Sequence, residues 1–331
     1  MKTMKKIFSA LTVCFLALQL LCSCSFGQKQ YSATYWDLFD TVTTVTGFAD
    51  SQKAFDEQAR DIYNRLKHYH RLFDIYRDYE GLTNLKTVND MAGIAPVQVD
   101  GAIIDLLTDC VKFHRLTQGR VNVAMGSVLS LWHEARSIGT YIPDAQSLQA
   151  AAEHTNIDCL QIDREAGTVY ITDPFTRLDV GAIAKGWAVE QVGANAPKGL
   201  LLNVGGNVFA TGPKEDAPWI VGVQDPQDAN SYLCKLQLTG GAAVTSGDYQ
   251  RTYSVDGKDY HHIIDPETLM PSTYWRSVTV VCPDSALADA LSTALFVMPL
   301  EQGKALAKSC SAEVLWVDTT GRQYKTDFFN A

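Results

Sequence analysis

Apolar residues recur at the three-to-four-residue spacing of an α-helix in several parts of the chain. The clearest repeat predicts an amphipathic helix over 54–77, and its apolar positions are Phe55, Ala59, Ile62, Leu66, Tyr69 and Phe73. A second repeat predicts a helix over 101–118, which Gly119 follows. Shorter helices are predicted at 144–154, 182–196, 285–297 and 300–309, and 121–136 is predicted to be a turn that enters a short helix.

Runs rich in Val, Thr and aromatic residues predict strands, mostly in the second half of the chain. The first strand is predicted at 35–49, 78–100 is predicted to be a loop, and hairpins are predicted at 158–172 and 313–328. The remaining strands are predicted at 199–211, 219–224, 232–239, 242–245, 250–255 and 277–281. Helices that precede strands in this way favour an α+β fold with a largely antiparallel sheet over a doubly wound one.

The N-terminal residues are typical of an export signal. Three lysines fall within 1–6, an apolar run covers 7–21, and Cys22 and Cys24 follow. The pattern resembles a bacterial lipoprotein signal over 1–23, with Cys24 as the lipid-modified N-terminus. We then expect a tether at 24–34, one domain at 35–331 and anchoring on the outer face of the cytoplasmic membrane. A plain signal peptide cut nearby is the alternative.

Charge and cysteine usage exclude some classes of function. The 331 residues carry a formal net charge of −9, so binding to nucleic acid through a basic face is not expected. Five cysteines lie beyond Cys24, and they are scattered without any C-x-x-C pair. Their spacing indicates neither a zinc site nor a disulfide framework.

The segment LDVGAIAKGWAVE at 178–190 places charges among small apolar residues. A strand that ends at Asp179 and is followed by Gly181 and a helix would offer backbone N–H groups to a phosphate. Lys185 would add a cation there. The alternative is an ion pair at an ordinary strand–helix junction.

Two glycines interrupt the strand predicted at 199–211. Gly205 and Gly206 in NVGGNV indicate either a β-bulge or a stretch of backbone that a ligand approaches closely.

Asp289 and Thr293 are one helical turn apart in the helix predicted at 285–297. A carboxylate with one hydroxyl is a poor calcium site but suits Mg²⁺, which takes its other ligands from water and phosphate. The alternative is an acidic residue near a helix N-terminus with an incidentally buried threonine.

Adjacent histidines, His261 and His262, should point to opposite faces if this stretch is extended. Only one of them would then enter a given site, where it could take a proton from a hydroxyl. A structural, hydrogen-bonded histidine is the alternative.

Taken together, these segments resemble the FAD:protein FMN transferase (ApbE) family. LDVGAIAKGWAVE, NVGGNV, TSGDYQR, HHIIDP and ADALSTALFVM occur in the family's order over 178–298. The first half matches more loosely, through LFDTVTTV at 38–45, Tyr76, Asn89 and the segment that ends at Trp132. The resemblance implies an ApbE-like architecture related to the T-fold, with a largely antiparallel sheet and flanking helices.

The resemblance also implies roles for individual residues. Mg²⁺ would be held by the carbonyl of Ala182 and by the side chains of Asp289 and Thr293, with Asp289 acting electrostatically in catalysis and His262 as the base. The residues implied to contact FAD are Phe39, Tyr76, Ala124, Met125, Gly126, Asp179, Lys185 and Ile263. The chain departs from the family pattern at Asn122 and Ala124, where many members carry Asp and Thr.

The implied reaction transfers the FMN moiety of FAD to a Thr or Ser hydroxyl of a target flavoprotein and releases AMP. FAD would be the substrate, and Mg²⁺ or Mn²⁺ the metal. Two alternatives stay open at the level of sequence. One is an FAD pyrophosphatase that uses water as the acceptor, and the other is a non-catalytic lipoprotein that binds FAD.

Overall fold

The computed structural model describes residues 28–327 and 329. Its helices are α1 (Gln52–Phe73), α2 (Leu85–Asp90), α3 (Gly101–Leu116), α4 (Gly126–Ile138), α5 (Ala145–Ala152), α6 (Ala184–Gly193), α7 (Ser285–Phe296) and α8 (Leu300–Ser309). Its strands are β1 (Lys29–Leu38), β2 (Thr41–Ala49), β3 (Val97–Gln98), β4 (Leu160–Asp163), β5 (Thr168–Ile171), β6 (Leu200–Val204), β7 (Asn207–Ala210), β8 (Trp219–Asp225), β9 (Asp228–Leu238), β10 (Gly241–Gly247), β11 (Tyr253–Val255), β12 (Lys258–Tyr260), β13 (Trp275–Cys282), β14 (Glu313–Asp318) and β15 (Gln323–Lys325).

One eight-stranded sheet organises the molecule, in the order β1-β2-β6-β7-β10-β13-β14-β15. Every neighbouring pair in it is antiparallel. Helix α7 packs on β10 and β13, and α6 packs against α7 and α1. The prediction of an α+β fold with a largely antiparallel sheet and flanking helices is therefore confirmed.

Most predicted helices form close to their predicted bounds. Helix α1 begins after Ser51, whose side chain accepts a hydrogen bond from the backbone N–H of Ala54 at 3.2 Å. Asp144 caps α5 in the same way, through the N–H of Ser147. These Ncap side chains satisfy backbone donors that have no partner within the helix, which explains why the helices start there.

Three predictions of local structure are wrong. The stretch 35–49 is two paired strands, β1 and β2, and their turn is Phe39-Asp40 with φ of 52° and 50°. The single strand predicted at 199–211 is two paired strands, β6 and β7, and Gly205 and Gly206, with φ of 58° and 88°, form the two-residue turn between them, so only the bulge interpretation of these glycines is excluded. Both turns need two consecutive residues at positive φ. The loop predicted at 78–100 contains α2 and β3.

The predicted signal at 1–23 and Cys24 lie outside the described residues. Residues 29–34, which were predicted as part of the tether, belong to β1 and pair with β2. Among the described residues, we find no helix with the length and apolar character needed to cross a membrane.

Candidate active site

A cavity of about 840 Å³ lies where the tip of the β6–β7 hairpin, the start of α6 and one face of α7 meet. Its volume is in the upper range for small-molecule and cofactor sites. Ten of the twelve residues expected in the site line this cavity, namely Phe39, Tyr76, Met125, Asp179, Ala182, Lys185, His262, Ile263, Asp289 and Thr293. Residues that are up to 254 positions apart in sequence are thus brought to one place by the fold.

Ala124 and Gly126 are not among the lining residues. Ala124 is fully buried, and the N–H of Gly126 donates to the carbonyl oxygen of Arg177 at 2.9 Å. A Cβ at position 126 would lie 2.5 Å from that oxygen, so this close approach requires glycine. Their contact with FAD stays a prediction.

Asn122 shapes the turn where the chain departs from the family pattern. Its Oδ1 accepts a hydrogen bond from the N–H of Ala124 at 3.0 Å, and its Nδ2 donates to the carbonyl of Thr155 at 2.8 Å. An Asp side chain would supply the same acceptor for the N–H of residue 124, so the turn keeps its local support. Asn122 itself lines the cavity.

At the junction between Asp179 and α6, both side chains that were expected to contact FAD also hydrogen-bond to the backbone of Gly181. Asp179 Oδ1 accepts the N–H of Gly181 at 2.8 Å, so this backbone donor is already used. Burial raises the pKa of Asp179, because a carboxylate is less well solvated there. Lys185 Nζ donates to the carbonyl of Gly181 at 3.3 Å and so turns back over the loop.

Asp289 reaches from α7 to the first turn of α6. Only 4% of the residue is exposed, and its Oδ2 accepts the N–H of Gly186 at 2.7 Å. Lys185 Nζ lies 3.8 Å from the same oxygen. Burial raises the pKa of Asp289, while Lys185 and the Gly186 N–H act in the opposite direction. The carboxylate therefore occupies the positive end of a helix, where a negative charge is stabilised.

Helices α6 and α7 approach closely at Gly186. A Cβ at this position would lie 2.4 Å from both Asp289 Cβ and the carbonyl oxygen of Ser285. The glycine thus allows Asp289 to stand against the first turn of α6.

The donors around Asp289 fit a hard divalent cation. Asp289 supplies a carboxylate, Thr293 a hydroxyl and Ala182 a carbonyl, and all three residues line the cavity. Oxygen ligands in small number are what Mg²⁺ accepts when phosphate and water complete its shell. In the part of the chain that the structure describes, there is no group of three or more His, Cys, Asp or Glu side chains able to hold a metal.

His262 enters the cavity, and His261 does not. His261 Nε2 is 2.8 Å from the carbonyl oxygen of Ser272, and its ring packs edge-on against Phe296. Only one of the two histidines therefore lines the cavity, but not for the predicted reason, because this segment is not a strand.

The protonation state of His262 follows from its surroundings. Burial first, and then the positive charge of Arg251, lower its pKa to about 3. The ring is therefore neutral near pH 7 and carries one N–H. Its Nδ1 lies 3.2 Å from the carbonyl oxygen of Gln250, which can only accept, so Nδ1 holds the hydrogen. Nε2 is left with a lone pair that can accept a proton, although a pKa of about 3 makes the ring a weaker base than a free imidazole.

Aromatic and cationic side chains also line the cavity. The ring of Tyr76 is stacked on His133 at a centroid distance of 5.1 Å, and Phe39 packs edge-on against His70 at 5.4 Å. The cationic residues that line the cavity besides Lys185 are Arg77, Arg120, Arg136 and Arg251. A planar ring system and an anionic group would both find partners here.

Sequence reasoning missed several of these lining residues. Arg251 was within the quoted segment TSGDYQR, but nothing in the sequence distinguished its side chain from a surface arginine. Arg77 and Arg136 belong to no motif. Asn207 was part of NVGGNV, where only the two glycines drew attention.

The sequence and fold of this chain are similar to those of known proteins. The model of the ApbE family matches residues 39–316. The chain belongs to the ApbE family.

ApbE relatives with curated names agree with this assignment. The chain is 33% identical over 270 residues to the FAD:protein FMN transferase of Treponema pallidum, with 75% of this chain and 73% of the relative covered. It is 28% identical over 261 residues to the FAD:protein FMN transferase of Escherichia coli K12, with 75% and 74% covered.

Solved ApbE structures share the fold. The ApbE protein of Thermotoga maritima superposes with a TM-score of 0.81 at 29% identity, over 91% of this chain and 98% of that one. The flavin transferase ApbE of Vibrio cholerae gives a TM-score of 0.77 at 25% identity, over 91% and 98%. The ApbE-like architecture expected from the sequence is confirmed.

Proposed function

We propose that this ApbE-family enzyme transfers the FMN moiety of FAD to a Thr or Ser hydroxyl of a target flavoprotein and releases AMP. The observation that supports this most is the meeting of three features in one cavity of dinucleotide size. These are the buried carboxylate of Asp289 with the oxygens of Thr293 and Ala182, the cation of Lys185, and the neutral ring of His262.

Different residues of the cavity would bind the rings, the diphosphate and the metal ion. Aromatic side chains at Phe39 and Tyr76, with the apolar Met125 and Ile263, would bind the rings of FAD, and Asp179 would contact a polar edge of the ligand. Lys185 would balance the charge of the diphosphate. A divalent cation, held by Ala182, Asp289 and Thr293, would neutralise phosphate oxygens and stabilise the leaving AMP.

Bond changes in this reaction balance without a further reactant. The acceptor hydroxyl oxygen forms a bond to the FMN phosphorus, and the bond from that phosphorus to the bridging oxygen breaks. AMP leaves with the bridging oxygen, and the hydroxyl proton goes to Nε2 of His262. With Nδ1 bonded to the Gln250 carbonyl, Nε2 is the nitrogen free to take that proton.

Incubation of the protein with FAD, Mg²⁺ and a flavoprotein acceptor tests the proposal. We expect covalent flavin fluorescence on the acceptor together with one AMP per flavin attached. Chelation of divalent cations should suppress both products by about 10³-fold, since electrostatic stabilisation by a metal contributes several kcal/mol. AMP and FMN without labelling of the acceptor would indicate a pyrophosphatase, and FAD retained without products would indicate a storage protein. Full transfer under chelation would contradict the metal dependence.

We also propose export and lipid anchoring at Cys24. The basic start, the apolar run and the two cysteines at 22 and 24 support this. Expression of the full chain in a bacterial host should give a membrane-associated protein whose first residue is an acylated Cys24, and mass spectrometry of the N-terminal peptide checks this. Cys24→Ala should release the protein from the membrane fraction. An unmodified N-terminus at another residue would contradict the proposal.

A further inference from the structure

Asn207 occupies an unusual position for a polar side chain. It begins β7 directly after the Gly205-Gly206 turn, is 1% exposed and lines the cavity. Its Nδ2 is buried and has no hydrogen-bond partner. A buried amide N–H without an acceptor destabilises the folded state, so it requires an explanation.

Among the described residues, no acceptor forms a hydrogen bond with the amide nitrogen of Asn207. In the sheet, Asn207 is directly opposite Val204 on β6 and Val244 on β10, and both of these side chains are apolar. Above the sheet, the hydroxyl of Ser285 donates to Asn207 Oδ1 at 2.9 Å. With Oδ1 bonded in this way, Nδ2 is the amide atom without a partner.

Nδ2 lies against Gly186 on α6, beside Asp289. A Cβ built on Gly186 would be 3.0 Å from Asn207 Nδ2 and 2.4 Å from Asp289 Cβ, so the amide and Asp289 adjoin the same point of α6. The carboxylate of Asp289 already accepts the Gly186 N–H through Oδ2 and has Lys185 beside it. An occupant with anionic oxygens is the acceptor chemistry that this part of the cavity is built to receive.

We propose that Asn207 is a substrate-binding residue whose Nδ2 donates a hydrogen bond to a diphosphate oxygen of the bound dinucleotide. This inference rests on the proposed function for the identity of the ligand. It adds to that function a neutral donor on the β6–β7 hairpin, opposite the charged groups on α6 and α7. The NVGGNV segment then has a role in binding: its tight turn places the amide beside Asp289.

The test compares equilibrium binding of three probes, FAD, ADP and riboflavin, to the apo protein. ADP has the diphosphate without the flavin, and riboflavin has the flavin without phosphate. Each is titrated in EDTA and again with Mg²⁺. Asn207→Asp keeps Oδ1 for Ser285 and replaces the donor with an anionic oxygen. We expect it to weaken FAD and ADP by about 10- to 100-fold, the range for a lost hydrogen bond to a charged group, and to leave riboflavin within about twofold.

The control variant is Asn203→Asp, on the same hairpin. Asn203 is exposed, does not line the cavity, and accepts the N–H of Gly206 through Oδ1 at 3.0 Å, a bond that the aspartate keeps. We expect it to bind all three probes like the unmodified protein. A comparable loss of ADP affinity in this variant would mean that added charge on the hairpin is the cause, and would overturn the assignment.

Other outcomes are equally decisive. Unchanged ADP affinity in Asn207→Asp overturns the proposal, and so does an equal loss for riboflavin, which would indicate general disruption. A change in Mg²⁺ affinity alone would show that the amide acts on Asp289 and not on the ligand. If Asn207→Asp does not fold, Asn207→Ala carries the same test. Because binding is measured without turnover, a failure of flavin transfer would leave this result intact.

Discussion

Asp289→Asn should lower the rate of flavin transfer by about 10³-fold while making the metal-free protein more stable. The amide keeps an oxygen that can accept the Gly186 N–H, now at 2.7 Å from Oδ2, so the contact between α6 and α7 is retained. The negative charge needed to hold a divalent cation is lost, and metal stabilisation of a phosphoryl transfer contributes several kcal/mol.

The expected gain in stability follows from the direction of the pKa shift. Burial raises the pKa of Asp289 above its value of 3.8 in the unfolded chain. A group of this kind favours the folded state most when it is protonated, and this contribution is lost as the pH rises through the folded-state pKa. Folding therefore becomes less favourable for this carboxyl group as the pH rises above 3.8, whereas a neutral amide has no such cost. We expect a rise in Tm on the order of 2 °C in EDTA, smaller or reversed when Mg²⁺ is added.

Asp284→Ala provides the matched control, since Asp284 precedes α7 as its Ncap. Its side chain accepts the N–H of Leu287 at 2.9 Å and does not line the cavity. The variant should lose about 1 kcal/mol of stability and keep its transfer rate, the reverse of the pattern for Asp289→Asn. Thermal unfolding and initial rates, measured on both variants with and without metal, check the pair. Wild-type activity in Asp289→Asn would remove this residue from the metal site.

Local patterns were enough to predict most of the elements but not the way that the chain turns between them. Helix α8 was predicted at 300–309, where it is found, because its apolar spacing and Pro299 are local signals. The β1–β2 turn was missed because Phe39 and Asp40 take positive φ without the glycine that usually indicates such a turn. The tertiary contacts around Phe39, including the N–H bond to His70 Nδ1 at 3.2 Å, are not visible in a local pattern.

In the site, too, local patterns identified some residues and missed others that depend on tertiary contacts. Asp289 and Thr293 could be found from a spacing of four residues and Lys185 from its place among small apolar residues, and family resemblance selected His262 over His261. Asn207 could not be singled out, because its meaning depends on Val204, Val244 and Ser285, which the sheet and α7 bring beside it. Residues in the family motifs indicate the type of reaction, whereas the hydrogen bonds that support them depend on packing between distant parts of the chain.

His262→Ala should reduce the rate of transfer by about 10²- to 10⁴-fold, the range for loss of a general base. His261→Gln is its neighbouring control. Gln can still donate to the Ser272 carbonyl that His261 Nε2 now contacts, and His261 lies outside the cavity. We expect that variant to retain most of its activity. Equal losses in the two variants would indicate a disturbed loop and not a missing base.

The pH dependence of His262 tests whether its ring is buried and neutral in the folded protein. Its pKa of about 3 is depressed below the ordinary value of 6.5, chiefly by burial, so the ring stays neutral in the folded protein as the pH falls through 6. The unfolded chain takes up this proton first, and the stability that His262 contributes is present above pH 6.5 and is lost as the pH falls toward 3. NMR titration of the histidine rings should therefore show one resonance, absent from His262→Ala, that does not shift between pH 8 and 5. The pH profile of kcat/KM should likewise show no decrease near pH 6.5 that is present in the unmodified protein and absent from His262→Ala. A ring that titrates near 6.5 would mean that His262 is solvated, and its assignment as the buried neutral base would fail.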